Sequence, residues 1–413
     1  MLTHKRLLPF VMLLFPLVFF TFQFILRLWP GLMMHSIMSQ FSINATQFGM
    51  LAGAYYYGYA GMQIPIAILL DRWGARLIVA SSALTCGLAT LLFTFTDSFH
   101  IAVISRFLIG ASSAAGFLGV SKVVSEWFPK EQYARMIGFS FTVGLMGAIY
   151  GGKPVHLLIN AFQWQNVALT LGIVSLFWAV CVWIGLRAPK LEQSERSESF
   201  SLQQLKTTLS SPVIWVLALA NLLMVGALDG FADVWGIPYL VEAFQLERGT
   251  AASLVSFIYF GMLVGGPLLA FGSKKFGNYL LIAGSGAGMA AAFLALLLMK
   301  SYQQELLAGL FFLVGIFCCY QVLVFAAGSD LVPTPALGFT VAFLNCINML
   351  GGSFFHTLIG VTLDAFWTGE FSGDGVRHYS LETFQSAVSM IPLCATLGVF
   401  LVMGLHFYGH KQR

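Results

Sequence analysis

Charge is what this 413-residue chain has least of: Asp, Glu, Lys and Arg together make up 9% of it, against about a quarter in an ordinary water-soluble domain. So few charges cannot clothe a water-facing surface of this size, which excludes a large soluble protein. No nucleotide-binding loop of the G-x-x-x-x-G-K-[ST] kind is present, so ATP is excluded as the energy source. HExxH is absent and no Ser/His/Asp constellation stands out, which argues against an enzyme. The six cysteines, Cys86, Cys181, Cys318, Cys319, Cys346 and Cys394, form no C-x-x-C or zinc spacing and all lie in apolar runs. They read as small core hydrophobes, and neither a metal nor a cofactor is expected. The net charge of +4 comes without a basic patch or aromatic interleaving, so nucleic acid is not an expected partner.

What the chain has instead is apolar length. Hydrophobic residues make up 58% of it and its mean hydropathy is +0.83. A membrane-crossing helix needs about 20 such residues. Twelve spans are predicted, over 7–34, 48–70, 77–96, 99–127, 134–160, 166–187, 212–241, 250–271, 279–299, 305–329, 335–363 and 386–408. The first has a basic start like a secretory leader, but its apolar run continues to Met34 with no small-residue cleavage site, so it reads as a retained span. Lys and Arg set the orientation. With the N-terminus inside, the cytoplasmic segments hold fourteen and the outer segments only Arg248, Lys300 and Arg377. Both termini and the 188–211 linker are therefore expected in the cytoplasm. The expected setting is a bacterial inner membrane, with the protein a monomer whose partners are the lipid bilayer and a small solute.

The chain repeats itself. Gly151–Ile159, GGKPVHLLI, matches Gly351–Ile359, GGSFFHTLI; Phe107–Gly110, FLIG, matches Phe312–Gly315, FLVG; and Gly74 aligns with Gly277 in GSKKFGN. Several matches in chain order divide the chain into residues 1–187, the polar linker 188–211 and residues 212–413, two six-span halves. Parallel halves of this kind are a transporter architecture, with the solute near the midplane. The expected fold class is an all-α membrane protein of twelve helices.

Between spans 2 and 3 lies Leu69–Arg76, LLDRWGAR, which gathers Asp71, Arg72 and Arg76 around Gly74. With RFLIGAS in span 4 and GLMGAIYGGKP in span 5, it resembles the signature motifs of the major facilitator superfamily. It departs from that pattern where Ala67 stands for the usual Gly. The resemblance implies the fold of two pseudo-symmetric six-helix halves. It also implies that Asp71, with Arg72, Gly74 and Arg76, forms a conformational latch at the cytoplasmic ends of the spans when the transporter faces outward. The bland alternative, a topology anchor, accounts for the arginines but not for Asp71. The span 5 glycines Gly144, Gly147 and Gly151 share one helix face and suit close packing, either static or sliding against the other half.

Ionisable groups inside spans cost a few kcal/mol or more and are functional candidates by default. The deep cations are Arg27, Arg106, Lys122 and Lys153, and the deep acids are Asp229 and Asp233, four apart in span 7. In the fold that the resemblance implies, spans 1, 4 and 7 line the cavity, so Arg27, Arg106, Lys153, Asp229 and Asp233 are expected to converge on one chamber. Lys122 sits four residues before Glu126 and reads as an interfacial i,i+4 pair. Arg27 resembles the span 1 arginine of the organic-anion and sugar-phosphate branches; an internal salt bridge is its alternative, and bracing is that of Arg106. Tyr56, Tyr59 and Gln63 on one face of span 2, Tyr320 and Gln321 in span 10, and Asn345 and Asn348 in span 11 complete the expected solute-binding set. His156 and His356 occupy matching places in the two halves.

The expected function is secondary-active, proton-coupled transport of a small polar solute by alternating access, with Asp229 or Asp233 carrying the proton, because burial favours a protonated carboxyl. Cations and acids in one chamber suit a zwitterion, an amino acid or short peptide. YYYGYAGMQIP and LWP also resemble the phagosomal nutrient transporters of intracellular bacteria, many of which carry amino acids. Organic acids, including a carboxylate siderophore, are the rival substrates. A non-transporting solute sensor on the same fold is the rival function.

Overall fold

The computed structural model describes residues 2–187, 202–333 and 336–411, so most of the expected linker, 188–201, lies outside the described residues. Among the described residues the chain is helical throughout, apart from turns and one isolated bridge between Phe371 and Arg377. The cause is the solvent. In hydrocarbon every backbone N–H and C=O must be satisfied within the chain, and a helix does this segment by segment. Ten helical stretches are long and apolar enough to cross a membrane. One of them, Ala45–Phe95, is two helices meeting at Gly74, whose φ of 79° and ψ of 163° are not helical. Residues 133–162 form one more, broken at Gly152 into Tyr133–Gly151 and Lys153–Phe162. With these two additions the described helices accommodate the twelve expected crossings. Large apolar side chains such as Phe177, Ile184, Phe271, Leu298 and Phe400 are exposed, as lipid-facing positions require.

The repeat seen in the sequence is present in the backbone. Gly277, aligned with Gly74, has φ 81° and ψ 158°, so both turns use the same left-handed conformation, which glycine alone adopts without steric cost. A Cβ on Gly58 would overlap the carbonyl oxygen of Phe107, and one on Gly261 would overlap that of Phe312. The same glycine thus lets span 2 touch span 4 and span 8 touch span 10.

The chain forms two compact units: residues 1–28 with 57–200, and residues 29–56 with 201–413. The stretch 29–56, from the ends of the first two spans, groups with the C-terminal spans rather than with the N-terminal ones. Part of it, expected as a plain connection, is the helix Met34–Phe41, which buries Met34, Ile37, Met38 and Phe41. Their spacing makes one apolar stripe, too short to register as a span.

Span 7 is the least regular. It runs as an α-helix over Pro212–Met224, a 3-10 turn over Val225–Ala227, a π-helical stretch over Leu228–Trp235, and an α-helix again over Gly236–Phe244. π-Helical turns inside longer helices concentrate at functional sites, and this one carries both Asp229 and Asp233.

Candidate functional site

In the first unit, Arg106 is 1% exposed and its Nη1 donates to the carbonyl oxygen of Leu26 at 2.7 Å. This bond ties span 4 to span 1 at the residue next to Arg27. A guanidinium carries five donors, so bracing does not exclude a ligand contact. Arg27 is half-buried, with its guanidinium 5.8 Å from the centre of the Phe24 ring. Tyr59 and Gln63 are buried. Lys153 is exposed and begins the helix after the break at Gly152. The span 5 glycines pack on span 1 of the same unit: a Cβ on Gly144 would strike the Phe20 ring, and one on Gly147 the Thr21 carbonyl. The static alternative describes that contact.

In the second unit, Asp229 is 0% and Asp233 2% exposed. Asp233 is clasped by two phenols. Tyr259 donates to its Oδ1 at 2.8 Å, and Tyr56 donates to its Oδ2. Hydrogen bonds to a carboxylate in a low-dielectric interior are among the stronger ones available. Tyr56 was expected from the sequence; Tyr259 was not. The missing signal lay in the repeat, because Tyr56-Tyr57-Gly58 and Tyr259-Phe260-Gly261 occupy equivalent places in the two halves. Tyr320 donates to the Asn221 carbonyl at 3.0 Å, and Asn221 Nδ2 donates to the Leu344 carbonyl at 3.4 Å. Asn348 is fully buried, and neither atom of its amide has a protein partner. Gln321 and Asn345 are half-buried. The His356 ring lies 5.2 Å from that of Tyr56, while His156 contacts Asn160 at 3.1 Å, so the matching histidines have different surroundings.

A third cluster, in the same unit, was not foreseen. Asp364, in the last turn of Leu337–Ala365, accepts from the backbone N–H of Thr46 at 2.8 Å, from the Tyr379 hydroxyl at 2.6 Å and from Arg377 at 3.0 Å. Burial, then the bond to Asp364, pushes the Tyr379 phenol above its ordinary value. Nearby, His35 lies 2.6 Å from Asp374. Desolvation pulls the other way, but the His35 contact leaves the Asp374 carboxyl below its ordinary value. His378 lies 3.4 Å from both Glu242 and Glu370.

The family model described as Major Facilitator Superfamily matches residues 11–356. The chain belongs to that superfamily. With ten helices among the described residues long and apolar enough to cross a membrane, it is a multi-pass membrane protein. The chain is 27% identical over 186 residues to a putative tartrate transporter of Agrobacterium vitis, covering 42% of this chain and 40% of that one. It is 26% identical over 264 residues to the probable galactarate/D-glucarate transporter GudP of Bacillus subtilis, covering 56% and 58%. It thus spans about half the length of the curated relatives it matches. A crystal structure of a bacterial homolog to the human lysosomal transporter Spinster, in an inward-facing and unoccupied conformation, matches the fold with a TM-score of 0.73 at 18% identity, over 96% of this chain and 95% of that one.

The superfamily octet is fully placed in the first unit. Asp71 receives the Lys122 ammonium at 2.8 Å, and Lys122 also reaches Glu126 at 3.4 Å, the expected i,i+4 pair. Arg76 donates to the Trp183 carbonyl at 2.7 Å with its guanidinium 4.7 Å from the indole. Arg72 is exposed. Asp71 is itself largely exposed, so losing this pair costs little stability and its removal isolates the effect on cycling. Asp71→Asn is expected to leave solute affinity within about fivefold, because a surface pair is worth at most about 1 kcal/mol, while slowing turnover. Binding by thermal shift and uptake rate on one preparation check this; unchanged turnover would reduce the octet to a topology anchor.

Proposed function

We propose that this superfamily member is a secondary-active, proton-coupled transporter of small organic anions in a bacterial inner membrane, working as a monomer with both termini in the cytoplasm. The observation that carries the reading is the clasp on Asp233. A zwitterionic solute needs a carboxylate for its ammonium group, and two of the roughly four acceptor sites of Asp233 are already taken by phenolic hydrogen bonds from Tyr56 and Tyr259. A carboxylate held inside the protein suits a proton-carrying role better than a ligand-gripping one. The cations remain for the anion: Arg27, set beside the Arg106–Leu26 bond, offers a planar fork that matches a carboxylate. The relatives named for tartrate and for galactarate or D-glucarate support an organic acid ahead of the amino acid that the sequence alone favours. The amino-acid reading stands second, with Asp229, fully buried, as the acid for the ammonium group.

The test is internal pH in proteoliposomes while organic acids, then amino acids and dipeptides, are added outside. Organic acids are expected to drive protons inward and amino acids are not. Proton movement with amino acids alone would reverse the order, and none with any pool would move an exchanger or sensor forward. Tyr259→Phe is expected to lower proton-driven uptake roughly tenfold, a loss of about 1.4 kcal/mol that falls just below the range for hydrogen bonds to charged groups. Solute affinity should stay unchanged, and parallel uptake and binding titrations would reveal an effect on the wrong one.

A further inference from the structure

A helix begins with backbone N–H groups that have no partner inside it, and the helix Ala45–Phe95 satisfies its first ones in two ways. Two partners are local: Asn44 Oδ1 accepts from the Gln47 N–H at 2.9 Å, and the Asn44 carbonyl accepts from the Phe48 N–H at 2.9 Å. The other two come from more than 300 residues away. Asp364 accepts from the Thr46 N–H at 2.8 Å, and the Tyr379 hydroxyl accepts from the Ala45 N–H at 3.0 Å. The same hydroxyl donates to Asp364, and Arg377 holds the carboxylate from the other side. Arg377 in turn lies 4.1 Å from the Trp367 ring, which fixes its plane. The Asp364 side chain is only 14% exposed. A carboxylate at a helix start is also favoured by the helix dipole. The end of span 11 is thus fastened to the start of span 2 through backbone groups that have no other partner to turn to.

We propose that Asp364 is a positioning residue of the transport cycle: a latch that holds the outer ends of spans 2 and 11 together and releases when that side opens. The proposal rests on the reading that this end faces outward and parts during alternating access. Tyr379 and Arg377 keep the carboxylate aimed, and the local Asn44 cap leaves the helix end folded after release.

The test uses the full chain in cells with its six cysteines replaced and a single reporter, Ser353→Cys. Ser353 is buried against Gly53 and lies about 16 Å down the helix from Asp364 at 1.5 Å per residue. It therefore reports opening rather than local fraying. With a membrane-impermeant maleimide outside, Asp364→Asn is expected to label at least tenfold faster than the parent, and Tyr379→Phe two- to threefold faster. A parental rate in Asp364→Asn, or in Tyr379→Phe should the first variant not fold, overturns the latch. A separate chain carrying His35→Cys and Asp374→Cys, joined by a short reducible bifunctional thiol reagent, tests the underlying reading. Uptake lost on joining and regained on reduction means this end must part. Uptake that persists with the link formed overturns that reading and the latch with it, whereas a blocking link with unchanged Ser353→Cys labelling overturns the latch alone.

Discussion

Arg27→Ala is expected to abolish uptake while the protein is made and inserted at the parental level. The expected loss of solute affinity is at least about 30-fold, because truncating one partner of a desolvated charge pair costs about 2–5 kcal/mol and each 1.4 kcal/mol is a factor of ten. The loss is large because the solute's carboxylate would enter a half-apolar surrounding without its counter-charge, next to the ring of Phe24. Insertion should survive because Arg27 is half-buried, and the bond that ties span 1 to span 4 is made by Arg106 to the Leu26 carbonyl. Arg27→Lys should recover part of the affinity, since it restores charge but not the bidentate fork. Solute-induced thermal stabilisation of the purified protein, measured beside uptake, separates binding from cycling. Parental affinity in Arg27→Ala would leave the arginine as an internal brace.

The second large effect is expected at Asp233→Asn, which loses accumulation against a gradient but keeps solute exchange. An asparagine can still accept one phenolic hydrogen bond, so the clasp by Tyr56 and Tyr259 loosens without falling apart. It cannot take up and release a proton, so the pH gradient no longer acts on the solute. With one proton per solute, a gradient of one pH unit supplies about 1.4 kcal/mol, or roughly tenfold accumulation. The variant is expected to reach none, while exchange of labelled for unlabelled solute continues. Asp229→Asn, one position in the same π-helical stretch, is the matched comparison. Accumulation retained in Asp233→Asn and lost in Asp229→Asn would move the coupling role four residues along the chain.

Both experiments concern residues legible in the sequence as charges in costly places. Their partners were less legible. Tyr259 carried a readable mark, its equivalence to Tyr56 in the repeat, and the two meet on one carboxylate although 203 residues separate them. Asp364 carried none, because an acid at the end of an apolar run looks like any interfacial residue. Its weight comes from the Thr46 N–H, a backbone group that no side-chain pattern reports.

Composition by itself determined that the chain is an all-helical membrane protein. Few charges and long apolar runs leave the helix as the way to satisfy the backbone in hydrocarbon. Glycine placement went further: Gly74 and Gly277 mark equivalent turns because only their missing side chains permit the same left-handed backbone. The tertiary structure alone decided which charges far apart in the chain become partners. It put Lys122 on Asp71 as well as Glu126, left Lys153 exposed, and grouped residues 29–56 with the C-terminal spans. The reason is that hydrophobic burial is written residue by residue along the chain. A hydrogen bond or ion pair needs two groups within about 3 Å, and which two meet is set by how whole helices pack.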